Sequence, residues 1–241
     1  MSEQRCCRIR LEISREASRL FWEQGVAATS GDQIGEAVGL STRTIWRHFR
    51  SKESCAEPII LHGVAWEMAA LRRWKPELSL DDHLADEMSR HGRDADRAER
   101  ADDALAMKMI ALSSREPALR TAWLMACDQV ERELAGIIAG RLDLPADDIG
   151  VQVHAAAASG ALRVVNEEIG GALLGGADVR RFAHAHQLLA QAIRSATGGA
   201  VGDAATTGDP YATTPSGRTN TGIEWPVRHA PERAARAVRR V

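Results

Sequence analysis

The sequence has little proline, almost no lysine and no long apolar run. Only 8 prolines occur in 241 residues, and most of the chain is rich in Ala, Leu, Arg and Glu. Such stretches favour α-helix, because these side chains lose little rotamer freedom there. No run of about 18 apolar residues is present, and the first residues contain no apolar signal core. We therefore expect a cytoplasmic, helical protein with no membrane partner.

The cysteines and the known catalytic patterns exclude further classes. Cys6, Cys7, Cys55 and Cys127 form neither a CxxC pair nor a Cys/His zinc pattern, and cytoplasmic proteins rarely keep disulfides. The chain has no HExxH, GxSxG or P-loop motif and no paired acid–base residues at a useful spacing. We expect reduced thiols, no metal, no cofactor and no enzymatic activity. Redox sensing by Cys6, Cys7 or Cys127 is the alternative.

Helical periodicity covers most of the chain, and no segment has the pattern of a strand. The predicted helices lie at about 5–24, 31–38, 42–49, 52–74, 80–91, 102–114, 117–141, 146–170 and 179–196. Ser30 and Gln33 fit a capping box, and Gly39 fits a helix end. Pro58 falls inside the fourth helix, so this helix is either kinked or begins near Glu57.

Residues 29–53 read TSGDQIGEAVGLSTRTIWRHFRSKE, which is the pattern of a helix-turn-helix. Gly39 supplies the sharp turn between two short helices, and Ile45 and Phe49 anchor the second helix to the core. This orientation turns a set of hydroxyls and cations outward: Thr42, Arg43, Thr44, Arg47 and His48. Such a face suits phosphates and base edges in the major groove of DNA. Because the net charge of the chain is −2, the DNA-binding surface must be a local patch.

The stretch from Ile9 to Glu53, about a fifth of the chain, resembles the TetR family of transcriptional repressors. The matching residues are Ala17, Leu20, Phe21, Gly25, Thr29, Ser30, Ile34, Ala37, Gly39, Leu40, Ser41, Thr44, Ile45, His48, Phe49, Ser51, Lys52 and Glu53. The resemblance implies an all-α homodimer with an N-terminal three-helix DNA-binding domain that contains the helix-turn-helix. It also implies a variable C-terminal helical domain for ligand binding and dimerisation.

Carried over residue by residue, the resemblance implies a set of DNA-binding residues. Its members are Thr29, Ser30, Ser41, Thr42, Arg43, Thr44, Trp46, Arg47, His48 and Lys52. The family usually has a small residue where Arg43 stands, so Arg43 is expected to read a guanine through O6 and N7. Trp46 replaces a usual tyrosine and could instead be a core residue. His48 could brace the domain rather than touch DNA.

We expect three segments: a DNA-binding domain at 1–53, a ligand-binding and dimerisation domain at 54–197, and a flexible tail at 198–241. The tail is predicted because its Gly-, Thr- and Ala-rich start has little to bury. Small and apolar residues in the last two helices form stripes suited to a dimer interface. These are Val153, Ala156, Ala157, Gly160 and Val164 in the first helix, and Leu188, Leu189, Ala192 and Ile193 in the second.

Trp66, Met107 and Trp123 are the best candidates to line an apolar ligand pocket, although each is equally suited to filling a core. The sequence thus predicts a repressor that binds a palindromic double-stranded DNA operator and is released by a small apolar or amphiphilic inducer. A ligand-independent or activating regulator is the first alternative, and a cysteine-based redox regulator is the second. The identity of the inducer does not follow from the sequence.

Overall fold

The structure is a computed structural model that describes residues 3–177, 182 and 184–204. These residues form α-helices and contain no strand, which confirms the predicted all-α class. The helices are α1 (Glu3–Gln24), α2 (Gly31–Val38), α3 (Thr42–His48), α4 (Glu57–Arg72), α5 (Leu80–Asp94), α6 (Arg97–Ser113), α7 (Pro117–Leu142), α8 (Ile149–Leu174) and α9 (Ala185–Ala196). Among the described helices, none combines the length and apolar character needed to span a bilayer.

The start of α4 decides between the two expectations for Pro58. A 3₁₀ turn at Glu53–Ala56 precedes α4, and Pro58 lies in the first turn of the helix. A proline is tolerated there because the first amide groups of a helix have no intrahelical acceptor. The helix predicted from residue 52 to residue 74 is therefore wrong at its N-terminus, and the alternative start near Glu57 is correct.

The charged residues 92–101, which lie between two of the predicted helices, are mostly helical in the structure. α6 begins at Arg97, five residues before the predicted start, because Asp96 and Glu99 form a capping box. The Asp96 carboxylate accepts from the backbone N–H groups of Ala98 and Glu99, at 2.7 and 2.9 Å. The predicted start of the last helix, near residue 179, lies outside the described residues.

A single apolar cluster runs through the described part of the chain. It continues from Phe21 and Ile45 through Ile59 to Trp123 and Leu162, all of which are buried. Within the cluster α7 packs on α8, α4 packs on α6 and α7, and α1 reaches both α4 and α6. The apolar core is continuous between residues 3–53 and the helices that follow. The predicted domain boundary between residues 53 and 54 therefore lies within a single packed core.

Residues 198–204 belong to the folded part, although we expected the flexible tail to begin at Gly198. The backbone N–H of Leu80 donates to the carbonyl of Gly202 at 2.8 Å, and Arg194 pairs with Asp203 at 2.9 Å. Val201 is buried between these contacts. Pairing of backbone groups and burial of one apolar side chain order this turn, which composition alone does not show. Residues 205–241 of the predicted tail lie outside the described residues.

Candidate nucleic-acid interface

The turn between α2 and α3 is held by backbone and hydroxyl groups. The Ser41 hydroxyl accepts from the backbone N–H of Thr44 at 3.3 Å and caps α3. Gly39 adopts a left-handed conformation with φ of 68°, and the Leu40 N–H donates to the Gly35 carbonyl at 2.8 Å. A Cβ on Gly35 would lie 2.6 Å from the Leu40 carbonyl oxygen, so only glycine fits this close approach. The turn therefore fixes the angle between α2 and α3.

The inner side of the helix-turn-helix is packed as the sequence predicts. Ile34 and Ile45 have no exposed surface, and Phe49 and Phe21 are also buried. The Phe49 backbone N–H donates to the Ile45 carbonyl at 3.0 Å and ends α3. α3 is thus held from behind by side chains spaced one helical turn apart.

The outer side of α3 carries hydroxyls and cations. Arg43 and Arg47 are exposed and form no ion pair with any described residue. Thr42 and Thr44 are half-buried, and their hydroxyls are already oriented. The Thr42 hydroxyl donates to the carboxylate of Asp32 at 2.5 Å, and the Thr44 hydroxyl lies 2.9 Å from that of Ser41. The surface therefore combines two unpaired guanidinium groups with polar groups of fixed position.

Trp46 lies at the edge of this surface and is not a core residue. Its side chain is 43% exposed, and its ring covers the start of α2. A Cβ on Gly31 would lie 2.1 Å from Cζ2 of the Trp46 ring, so the glycine makes room for the tryptophan. Ser30, which is exposed, caps α2 in a full capping box with Gln33, as predicted.

Two of the predicted DNA-binding side chains form hydrogen bonds within the domain. Thr29 is buried; its hydroxyl donates to the Gly25 carbonyl at 2.9 Å and accepts from the Gln24 side chain at 3.2 Å. The Lys52 ammonium donates to the carbonyls of Val26, Ala27 and Thr29, at 2.7, 3.3 and 2.8 Å. All three of its donors are used there. Both side chains therefore hold the loop between α1 and α2.

His48 lies between α3 and α1. Its Nδ1 lies 3.9 Å from Cys6 Sγ, and its carbonyl accepts from Arg10 at 2.8 Å. The pKa of His48 is lowered by burial and by the nearby charges of Arg47 and Arg10, which favours the neutral imidazole. This placement favours a bracing role. Cys6 and Arg10 belong to the surroundings of α3 but were not predicted, since only tertiary packing brings the start of α1 to this point.

An exposed apolar stripe follows the length of α8. Ile149, Val153 and Val164 are 77%, 58% and 55% exposed. Ala156 is also exposed, and Gly160 lies on the same side with no atom within 4 Å of an added Cβ. These residues recur at intervals of three and four, so they share one face of the helix. The predicted stripe on α9 is only partly available, because Leu188 is exposed whereas Ile193 is buried.

The three predicted pocket residues do not come together around a cavity. Trp123 is fully buried, and its indole N–H donates to Glu167 at 2.9 Å. The Trp66 and His91 rings are in contact at a tilt of 41°, with centroids 4.6 Å apart, and Met107 is half-buried. Two small pockets are lined by other residues. The larger one lies between α4 and α7. It is lined by Leu61, Val64, Ala65, Met68, Ala126 and Val130 and by the polar residues Arg72, Gln129 and Glu133.

Two carboxyl groups lie partly buried between the helices of the C-terminal part. Burial opposes ionisation of Glu167, but hydrogen bonds from Trp123, Arg120 and Arg163 outweigh it and lower the pKa. At Glu67 on α4, Oε2 is buried and has no hydrogen-bond partner. Burial raises the pKa of Glu67 to about 7, against the effect of a hydrogen bond from Asn166. Sequence periodicity did not indicate either group.

An ion pair joins the N-terminal helix to the C-terminal part. The Arg15 guanidinium on α1 donates to both carboxylate oxygens of Asp102 on α6, at 2.8 and 2.7 Å. Asp102 is buried, and His62 on α4 lies 3.6 Å from the same carboxylate. The two hydrogen bonds fix both the distance and the angle between α1 and α6 at this point.

Two family descriptions match the chain. Residues 13–59 match "Bacterial regulatory proteins, tetR family", and residues 83–171 match "MftR C-terminal domain". The HTH-type transcriptional regulator TcmR of Streptomyces glaucescens is 38% identical over 143 residues. These cover 58% of this chain and 63% of TcmR, so the chain spans less than two thirds of that relative.

Solved structures of similar proteins include Salmonella enterica GusR, with 22% identity and a TM-score of 0.49 over 79% of this chain and 94% of that one. Thermus thermophilus FadR, in complex with lauroyl-CoA, is 17% identical with a TM-score of 0.49, over 79% and 94%. From the two matched family descriptions and the identity with TcmR, we conclude that the chain belongs to the TetR family of transcriptional regulators.

Proposed function

We propose that this regulator is a homodimeric repressor that binds a palindromic DNA operator and releases it when a small apolar or amphiphilic molecule binds the C-terminal part. The observation that carries the proposal is the outer face of α3. Arg43 and Arg47 point away from the core without ion pairs among the described residues, while Ile45 and Phe49 fix the helix from behind. A rigid surface of this chemistry suits the major groove.

The DNA contacts proposed for this surface are of two kinds, contacts with base edges and contacts with phosphates. Thr42, Arg43 and Thr44 are proposed to reach base edges, with Arg43 bidentate to guanine O6 and N7. Ser30, Ser41, Trp46 and Arg47 are proposed to contact phosphates, which position the protein but carry no sequence information. His48 braces α3 in this scheme, and Thr29 and Lys52 act from inside the domain.

The α8 stripe supports dimerisation. A contiguous exposed apolar face on a long helix marks a protein–protein contact, and a two-fold axis would pair the same face of two copies. Ile149, Val153 and Val164 supply the exposed apolar surface, and Leu188 on α9 adds to it. In such a dimer the two α3 helices would need to lie ~34–36 Å apart to enter successive major grooves on one side of the duplex.

A ligand in the C-terminal part could act on α1 through α4 and α6. α1 packs against both helices, and Arg15 and Asp102 link α1 to α6 directly. We propose that the ligand enters between α4 and α7, where the larger cavity lies. Trp66 and Met107 do not line this cavity, so they are proposed contacts only for a ligand that extends beyond it towards α6. Trp123 is better explained as a core residue. A ligand that favours a different spacing of the two copies would shift the population away from the DNA-bound form.

For the redox alternative, Cys6 and Cys7 are the better candidates for the reactive thiol. Burial raises the pKa of both Cys55 and Cys127 to about 12, so these two stay protonated and poorly reactive near neutral pH. Cys6 is partly exposed and Cys7 is exposed. If peroxide alone releases DNA, and Cys6→Ser with Cys7→Ser abolishes the release, the redox alternative replaces the ligand-responsive one.

The proposal is tested with a fluorescein-labelled duplex from the region upstream of the protein's own gene. We expect binding that weakens steeply with salt, because phosphate contacts release counterions. Arg43→Ala should reduce affinity for this duplex by roughly 5- to 150-fold and reduce affinity for a scrambled duplex of the same composition far less, since a bidentate base contact discriminates by about 1–3 kcal/mol. Arg115→Ala is the matched control, because Arg115 is also exposed and forms no ion pair with any described residue. Salt-independent binding, or equal losses on both duplexes, would contradict the proposal.

A further inference from the structure

The first three turns of α1, residues 3–12, precede the matched regulatory family, which begins at residue 13. Their contacts place them beside the C-terminal end of α3. Cys6 Sγ lies 3.9 Å from His48 Nδ1, and Arg10 donates to the His48 carbonyl at 2.8 Å. The Arg10 guanidinium also lies 4.7 Å from the centroid of the Phe49 ring. These contacts fix the start of α1 next to the helix proposed to enter the groove.

Apart from Arg10, which contacts His48 and Phe49, the arginines of residues 3–53 fall into two groups. The first group is neutralised within the protein: Arg15 pairs with Asp102, Arg19 with Glu16 and Glu23, and Arg50 with Glu57. The second group is exposed and forms no ion pair with any described residue: Arg5, Arg8, Arg43 and Arg47. All four lie on α3 or on the turns of α1 that pack beside its end. The chain has 33 acidic residues, so a group of unpaired guanidinium ions at one place indicates an anionic partner.

We propose that Arg5 and Arg8 are a second DNA contact, which binds backbone phosphates next to the groove that α3 enters. This inference rests on the proposed function. Residues three apart lie on neighbouring positions of a helix surface, so the two guanidinium groups can hold adjacent phosphate oxygens. A guanidinium fork matches phosphate geometry bidentately. Glu3 and Glu12 are exposed on the same segment and weaken the patch, but the arginines at 5, 8 and 10 outnumber them.

The proposed contact of Arg43 with a base and the proposed contacts of Arg5 and Arg8 with phosphates should affect DNA affinity differently. Arg43 distinguishes sequences, whereas Arg5 and Arg8 raise affinity for any duplex, because phosphates are the same in every sequence. Each phosphate contact contributes about 0.9 to the slope of log K against log salt. Loss of two contacts should lower that slope by about 1.8, which corresponds to a loss of affinity of about 30-fold at 0.15 M salt and of none near 1 M.

The test measures fluorescence anisotropy of the full chain with the upstream duplex and with its scrambled form, from 0.05 to 0.5 M NaCl. The variant is Arg5→Gln with Arg8→Gln, which removes both charges and keeps good helix formers. We expect the lower slope and an equal loss of affinity on the two duplexes. Arg5→Lys with Arg8→Lys should keep a slope close to that of the wild type. Arg93→Gln with Arg115→Gln removes two exposed charges that form no ion pair with any described residue and lie outside residues 3–53, so it should leave the slope unchanged.

Two results would overturn the inference while the proposed function stands: a wild-type slope for the glutamine variant, or a loss confined to the upstream duplex. A lysine variant as weak as the glutamine variant would also overturn it, since packing and not charge would then be the cause. If the glutamine pair loses helicity by circular dichroism, Arg5→Gln and Arg8→Gln are measured singly, each with an expected slope change of about 1. Absence of salt-dependent binding by the wild type would instead refute the proposed function itself.

Discussion

Glu67 gives a prediction whose size can be worked out from its surroundings. Its carboxyl group on α4 faces Asp103 on α6, Cys127 on α7 and Asn166 on α8, and no described cation pairs with it. Burial raises its pKa from an ordinary 4.5 to about 7, so the folded protein binds this proton more tightly than the unfolded chain does. The stabilisation is therefore complete below pH 4.5, declines as the pH rises, and is lost above pH 7.

The size of the effect follows from the shift in pKa. At about 1.4 kcal/mol for each pH unit, a change from 4.5 to about 7 corresponds to a loss of roughly 3 kcal/mol of unfolding free energy between pH 4.5 and pH 8. Glu67→Gln keeps the shape of the side chain and removes the proton equilibrium. The variant should lose this part of the pH dependence and should be more stable than the wild type at pH 8.

The assay is urea unfolding followed by circular dichroism at pH 5, 6, 7 and 8, at one protein concentration. Glu168→Gln on α8 is the control, because Glu168 is exposed and the same substitution there should not change the pH profile. The quantity that matters is the difference between the wild type and Glu67→Gln at each pH. A difference that stays constant within 0.5 kcal/mol would refute the reasoning, as would a difference that grows in favour of the wild type as the pH rises.

Three further predictions concern the fold and the assembly. Ile45→Ala removes a fully buried side chain from behind α3 and should cost about 2–5 kcal/mol of unfolding free energy, measured in urea; a loss below 1 kcal/mol would contradict the packing described. Gly35→Ala places a Cβ 2.6 Å from a backbone oxygen and should lower both the melting temperature and the affinity for DNA, whereas Gly140→Ala, which meets no atom within 4 Å, should lower neither. Val164→Glu puts a charge on the α8 stripe and should weaken the dimer in sedimentation equilibrium, whereas Leu144→Glu, also exposed but outside the stripe, should not. An unchanged dimer constant for the first variant would place the interface elsewhere.

The fold and the helix-turn-helix could be predicted because their signals are local. A capping box, a left-handed glycine and apolar residues at helical spacing each depend on a few neighbouring residues. Ser30 with Gln33, Gly39, and Ile45 with Phe49 all lie where this reasoning placed them. Errors at helix ends have local causes as well, since a capping box at Asp96 inside a charged run does not stand out from the charges around it.

The candidate site could be predicted only in part, because its details depend on contacts between distant parts of the chain. Lys52 looks like a phosphate ligand in the sequence, but three carbonyls about 25 residues away converge on its ammonium. In the sequence Trp123 is a candidate pocket residue, but in the structure its indole N–H donates to Glu167, 44 residues away. Arg15 and Asp102 are 87 residues apart. No spacing rule connects such pairs.

The continuous apolar cluster has a consequence for how the protein folds and unfolds. The 3₁₀ turn at Glu53–Ala56 is itself buried at Cys55 and Ala56, and Ile59 beyond it donates its backbone N–H to the Ser14 hydroxyl at 3.0 Å. A fragment cut after residue 53 would leave that hydroxyl and the apolar flank of α1 facing water. The part proposed to read DNA therefore depends on the helices after residue 56 for its own folding, and both parts should unfold in a single cooperative step.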